Sequence, residues 1–97
     1  MFAISVGDNG EVVLSGRFDA AQVDTANAVF DTLTRTTRVN FKDLDYISSA
    51  GLGALLRTQK RLNRDGQSLI LTNMHKLVRD VFRMARFDVV FRIEEGA

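Results

Sequence analysis

The sequence predicts an α/β fold, a single mixed, mainly parallel sheet of about five strands carrying about three helices in the order β-β-α-β-α-β-α-β. Three observations lead there. Apolar residues recur at strand-like spacing in some segments and at helix-like spacing in others. Near the start, an Asn9-Gly10 turn signal joins two short apolar runs. The later half alternates short strand-like runs with helical ones, and such crossovers require parallel strands with right-handed connections.

Taken in order, Ile4 and Val6 alternate with polar neighbours, Gly7-Asp8-Asn9-Gly10 tolerates positive φ, and Val12-Val13-Leu14 follows, which makes a β-hairpin. After Ser15-Gly16-Arg17-Phe18-Asp19, residues Val23, Ala26, Phe30 and Leu33 recur at helical spacing. They predict a helix of about four turns, with Asp19 or a neighbour as its cap. Thr36 to Phe41, with Val39 and Phe41 on one face, reads as a strand that delivers the chain to Leu44, Tyr46 and Ile47. Leu52, Leu55, Leu56 and Leu62 then form the apolar stripe of a second helix, with Arg57, Lys60, Arg61 and Arg64 on other faces and a stop before Asp65-Gly66. Ser68 to Thr72 reads as a buried strand. Met74, Leu77, Val78, Val81 and Met84 mark a third helix ending near Ala85 or Arg86, and Val89 to Ile93 is the last strand. The helices are expected on one face of the sheet.

A chain of 97 residues buries roughly 60 to 68% of its unfolded surface, enough for one core, so residues 1–97 are read as a single domain. The apolar fraction of 45% and charged fraction of 26% are those of an ordinary soluble domain, and exclude disorder and a fibrous repeat. Thirteen Lys and Arg against twelve Asp and Glu leave a formal charge of +1, so no overall field favours DNA, an anionic membrane or an acidic substrate. Neither nucleic-acid contact nor membrane insertion is expected. The absence of cysteine removes disulfides, thiolate nucleophiles and Cys-based zinc sites, and suits the cytoplasm. The apolar start lacks a basic flank, and Asp8 interrupts it well short of a signal segment or membrane span.

Chemistry is concentrated where a strand hands over to a helix, at Ser48-Ser49-Ala50-Gly51. The first helical amides lack partners there, and a serine oxygen that accepts one contributes about 1 kcal/mol. A phosphorylated serine at the same place would set about −1.5 to −2 charges at the positive end of the helix dipole, which the fold tolerates and a docked partner would not. Physics alone leaves both roles open. Gly51 and Gly53 each cost about 0.5 to 1 kcal/mol relative to alanine in a helix. Either a crowded helix-strand junction or the close approach of a partner would account for them.

Enzyme readings fare worse. A phosphate-cradling loop needs Lys and a hydroxyl residue after its last glycine, where Ala54-Leu55 stand, and a nucleophile elbow needs a glycine upstream of the serine as well. No carboxylate pattern ties His75 to either serine. Asp19, Asp43 and Asp45 suit turns and caps better than a cation site, and Arg79, Arg83 and Arg86 read as a solvated face. No catalytic residue, metal site or cofactor is expected.

Gly16-Arg17-Phe18-Asp19 before the first helix, followed by Asp43-Leu44-Asp45-Tyr46-Ile47-Ser48-Ser49-Ala50-Gly51-Leu52-Gly53, resembles the STAS domain of the stand-alone anti-sigma-factor antagonist type, over essentially the whole chain. The resemblance implies a bacterial, cytoplasmic, non-enzymatic regulator of partner switching. In that family the unmodified domain binds a serine kinase that often doubles as an anti-sigma factor, a serine or threonine at the start of the second helix is phosphorylated, and a serine phosphatase reverses the change. Aligned on Gly51-Leu52-Gly53, Ser48 stands where the family usually has Asp, and Ala50 occupies the acceptor position of well-known members. The resemblance then makes Ser49 the phosphoacceptor, with Ser48 the runner-up, and Asp19, Ser48, Ser49, Ala50, Gly51, Leu52 and Leu56 the partner-binding residues. The alternative is a constitutive STAS scaffold subunit without phosphoswitching, similar to those attached to lipid-transport ATPases.

Overall fold

Gly10 adopts φ 83°, the left-handed conformation its turn requires, and Asn9 Oδ1 accepts the Glu11 amide at 3.0 Å. The chain thereby reverses between β1 (Phe2–Val6) and β2 (Val12–Phe18), which pair antiparallel with Phe2 opposite Gly16 and Val6 opposite Val12. Gly16 also has positive φ, 82°, and a Cβ there would collide with the Met1 carbonyl, so β1 can cross that point only over glycine. The structure, a computed structural model, describes residues 1–94.

From β2 onward each connection is a helical crossover: α1 (Val23–Phe30), β3 (Thr37–Ile47), α2 (Ser49–Asn63), β4 (Leu69–Thr72), α3 (Lys76–Met84) and β5 (Arg92–Glu94). The strands lie in the order β1-β2-β3-β4-β5, with β2 to β5 mutually parallel. Right-handed crossovers that always step in the same direction lay every helix on one face. A single apolar core results, in which Phe18, Phe30, Phe41, Leu55, Leu62 and Phe82 are fully or almost fully buried. This is the α/β class the sequence predicts, a mixed five-stranded sheet with three helices.

Several boundaries differ from expectation. Helix α1 has eight residues instead of about four turns. A 3₁₀ turn, Ala20–Gln22, precedes it, and Leu33 reaches the core from beyond its end. Arg61 donates to the Phe30 and Leu33 carbonyls at 2.8 and 2.9 Å, holding the chain where the helix stops. Strand β3 runs unbroken to Ile47 instead of ending at Phe41. Two register shifts against β2, between Val13 and Ser15 and between Gly16 and Arg17, each insert one residue into β3. Phe41, Leu44 and Ile47 therefore all face the core although they are three apart.

In α3 the buried residues are Val78 and Phe82, whereas Leu77 and Met84, expected on the apolar stripe, are 71% and 84% exposed. Phe82 fixes this rotation by meeting Phe41 and Phe91 edge-on, with ring centroids 5.8 and 5.9 Å away. The last strand is Arg92–Glu94 rather than Val89 to Ile93. Phe87–Val89 form a 3₁₀ turn, the Phe91 amide still bonds back to the Phe87 carbonyl at 3.2 Å, and pairing with β4 begins only at Arg92. The part of the single-domain expectation that falls on residues 95–97 lies outside the described residues.

Candidate functional site

Parallel pairing of β2 and β3 brings Phe18 beside Ile47, so Asp19 and Ser48, the next residues, leave the same edge of the sheet together. The Ser48 amide donates to the Phe18 carbonyl at 2.9 Å, which clamps the two strand ends to each other. Asp19 Oδ1 accepts the Ala21 amide at 3.1 Å and caps the 3₁₀ turn. Ser48 is extended, with φ −90° and ψ 172°, its Oγ accepts the Gly51 amide at 3.2 Å, and its carbonyl accepts the Leu52 amide at 3.0 Å. It is thus the N-cap of α2.

Ser49 is the first residue of α2. It is exposed, and its hydroxyl makes no hydrogen bond to any of the described residues. Two adjacent serines therefore differ: one oxygen is committed to the helix, the other faces solvent at the terminus where unpaired amides and the helix dipole favour an anion.

The remaining candidates divide by burial. Ala50 and Leu56 are half-buried, Leu56 packing on the edge of the core, while Gly51 and Leu52 are buried beneath the surface. A Cβ on Gly51 would lie 2.8 Å from Ile47 Cγ1 and 3.0 Å from the Phe18 carbonyl oxygen. That glycine answers the crowding where the helix crosses the two strand ends. Gly53 is different. It is exposed, and a Cβ there would meet nothing within 4 Å.

Two features of this edge were not legible as site residues. Arg17 and Tyr46 are register partners one step before Phe18 and Ile47, and the guanidinium lies 4.2 Å from the ring centroid. The only sequence signal was an Arg and an aromatic residue preceding the two junctions. The second is a shallow groove of about 470 Å³ lined by Gly53, Leu56, Arg57, Lys60, Arg61 and Arg64. The basic residues were visible, but not the cleft beside them.

Other candidates lie apart from serine chemistry. His75 precedes α3, and its ring Nε2 stands 2.7 Å from the Leu44 carbonyl, to which it donates. That hydrogen bond ties the start of α3 to β3. Asp43 and Asp45 are exposed on β3, and no group of three or more His, Asp or Glu among the described residues is arranged to hold a metal ion. On α3, Asp80 pairs with Lys76 at 3.0 Å and approaches Arg83 at 3.9 Å. Hydrogen bonding from Lys76 holds its carboxyl below the usual aspartate range.

A family model described as "Mlab, STAS domain" matches residues 3–93. The chain belongs to the STAS-domain family. No curated protein matches the sequence. Among solved structures, the unphosphorylated form of the anti-sigma factor antagonist SpoIIAA superposes with a TM-score of 0.72 at 23% identity, covering 100% of this STAS domain and 90% of that chain. The Bacillus cell fate determinant SpoIIAA in its phosphorylated form gives 0.72 and 23%, covering 100% and 92%. A candidate anti-sigma factor antagonist from Thermotoga maritima gives 0.80 at 19% identity, covering 100% and 87%. At these identities the likeness is one of fold. No described helix is long and apolar enough to cross a membrane.

Proposed function

We propose that this STAS domain is a non-enzymatic regulator that binds a protein partner through the edge formed by Asp19, Ser48, Ser49, Ala50 and Leu56, shaped from beneath by Gly51 and Leu52, and that phosphorylation of Ser49 releases the partner. The observation that carries this reading is the division of labour at the start of α2. Ser48 caps the helix, and the Ser49 hydroxyl is exposed and uncommitted. A phosphate on Ser49 leaves the cap in place, so the fold tolerates it, while a dianion inside a close-packed interface brings repulsion and desolvation. The partner is then a serine kinase of the anti-sigma-factor type, a serine phosphatase reverses the modification, and the domain works in the cytoplasm. The likeness to SpoIIAA, an anti-sigma factor antagonist solved in both phosphorylated and unphosphorylated forms, supports the same reading.

A second reading, a constitutive STAS subunit of a transporter or other assembly, is favoured by Ala50 in place of the family's usual acceptor. Affinity capture from the native cell with mass spectrometry of partners and serines separates the two. A co-purifying kinase, with phosphate on Ser49 that an S49A chain fails to take up, is expected. Equal uptake by S49A overturns the acceptor assignment, and a stable assembly with neither serine ever phosphorylated favours the constitutive subunit.

A further inference from the structure

Helix α2 carries Arg57, Lys60 and Arg61, is followed at once by Arg64, and contains no Asp or Glu. Although the whole chain is nearly neutral, these cations are packed at spacings of three and four residues, where like charges face each other and destabilise the helix. The free domain relieves only part of this. Arg57 reaches Asp31 at 3.0 Å, and Arg61 is spent on the carbonyl groups at the end of α1. Lys60 and Arg64 are exposed and have no ion pair among the described residues. Both line the groove, together with half-buried Leu56 and with Gly53, which lies one helical turn from Ser49. Glycine at 53 weakens an exposed helical turn without any demand from its own fold, since a Cβ there meets open space. An occupant that lies close against the helix would supply that demand.

We infer that the groove is the seat of an acidic, amphipathic helix of the partner protein, with apolar residues on Leu56, its backbone over Gly53, and carboxylates set against Lys60 and Arg64. This rests on the partner-binding reading above and adds the chemistry of the bound segment. Docking extends that contact from the serine edge along α2, so that a phosphate on Ser49 opposes a partner helix already rich in negative charge.

The test places the photo-crosslinker p-benzoylphenylalanine at Lys60 in one chain and at Asp45, exposed near the serine edge, in another, each expressed as the whole chain in its native cell. The crosslinked segment is sequenced by mass spectrometry. Both positions are expected to capture the same protein, and Lys60 a segment with Asp or Glu at helical spacing. A synthetic peptide of that segment should bind the purified domain at least tenfold less tightly after K60E/R64E, and more weakly after G53A, although G53A raises the melting temperature. Capture of a nucleic acid, a lipid or a segment without acidic excess at Lys60 overturns the inference, as does no capture there or peptide binding indifferent to K60E/R64E. Capture at Lys60 alone supports the acidic helix and counts against the serine edge as its neighbour. Capture at Asp45 alone does the reverse.

Discussion

Ser48 Oγ holds the Gly51 amide at 3.2 Å, and α2 contributes Leu52, Leu55 and Leu62 to the core, so the cap acts on the whole domain. S48A is expected to lower stability by about 1 kcal/mol, a drop of about 4 to 8 °C in melting temperature for a domain of this size. S49A should leave stability within about 0.5 kcal/mol, because no bond is lost. The two glycines give an opposed pair in the same melts. G51A pushes a Cβ into Ile47 and the Phe18 carbonyl and should cost about 1 to 3 kcal/mol, whereas G53A should gain up to about 1 kcal/mol. Equal effects of the two would remove the distinction on which the groove assignment depends. Both glycines drew notice in the sequence, but what separates them is the crossing of two strand ends that are distant in the chain. No local pattern records that.

Elements show where periodicity carries information and where it fails. The hairpin and α2 were legible because turn chemistry and an apolar stripe are local signals. The full length of β3 is not legible in its sequence because two register shifts convert its alternation into the spacing Phe41, Leu44, Ile47. The buried face of α3 departs from its apolar stripe because the partners of Phe82 are supplied by β3 and the segment before β5. Strand β5 is short, and Glu94 ties it to β3 through an ion pair with Arg38, while also pairing with Arg92 of its own strand at 2.8 Å. The Arg38 hydrogen bond, aided by the charges of both arginines, holds the Glu94 carboxyl below the usual glutamate range. Because the folded value is the lower one, this contribution is complete above the ordinary carboxylate range and is lost as pH falls through the folded value. Hydrogen-exchange protection of the β4–β5 amides should therefore fall on acidification. In E94Q the fall should be smaller, with protection already reduced at neutral pH. Asp80 titrates in the same direction, so the difference between wild type and E94Q isolates Glu94.

At the scale of the molecule, topology decides what a modification at Ser49 can do. Parallel β2 and β3 end at one edge, the clamp from the Ser48 amide to the Phe18 carbonyl is main-chain, and the core lies beneath Leu52. A charge on Ser49 thus projects from a surface whose support does not depend on that hydroxyl. A switch that worked by unfolding the domain would require the opposite arrangement. S49D should consequently keep the melting temperature within about 4 °C of wild type, given the effect of up to about 0.5 kcal/mol expected of an exposed substitution. Its affinity for the captured partner should nevertheless fall at least tenfold, which needs only about 1.4 kcal/mol of repulsion and desolvation at the interface. Calorimetric titration beside thermal melts reads both quantities. An S49D chain that binds as wild type would place Ser49 outside the interface, and one that loses stability and binding together would show that the charge acts through the fold.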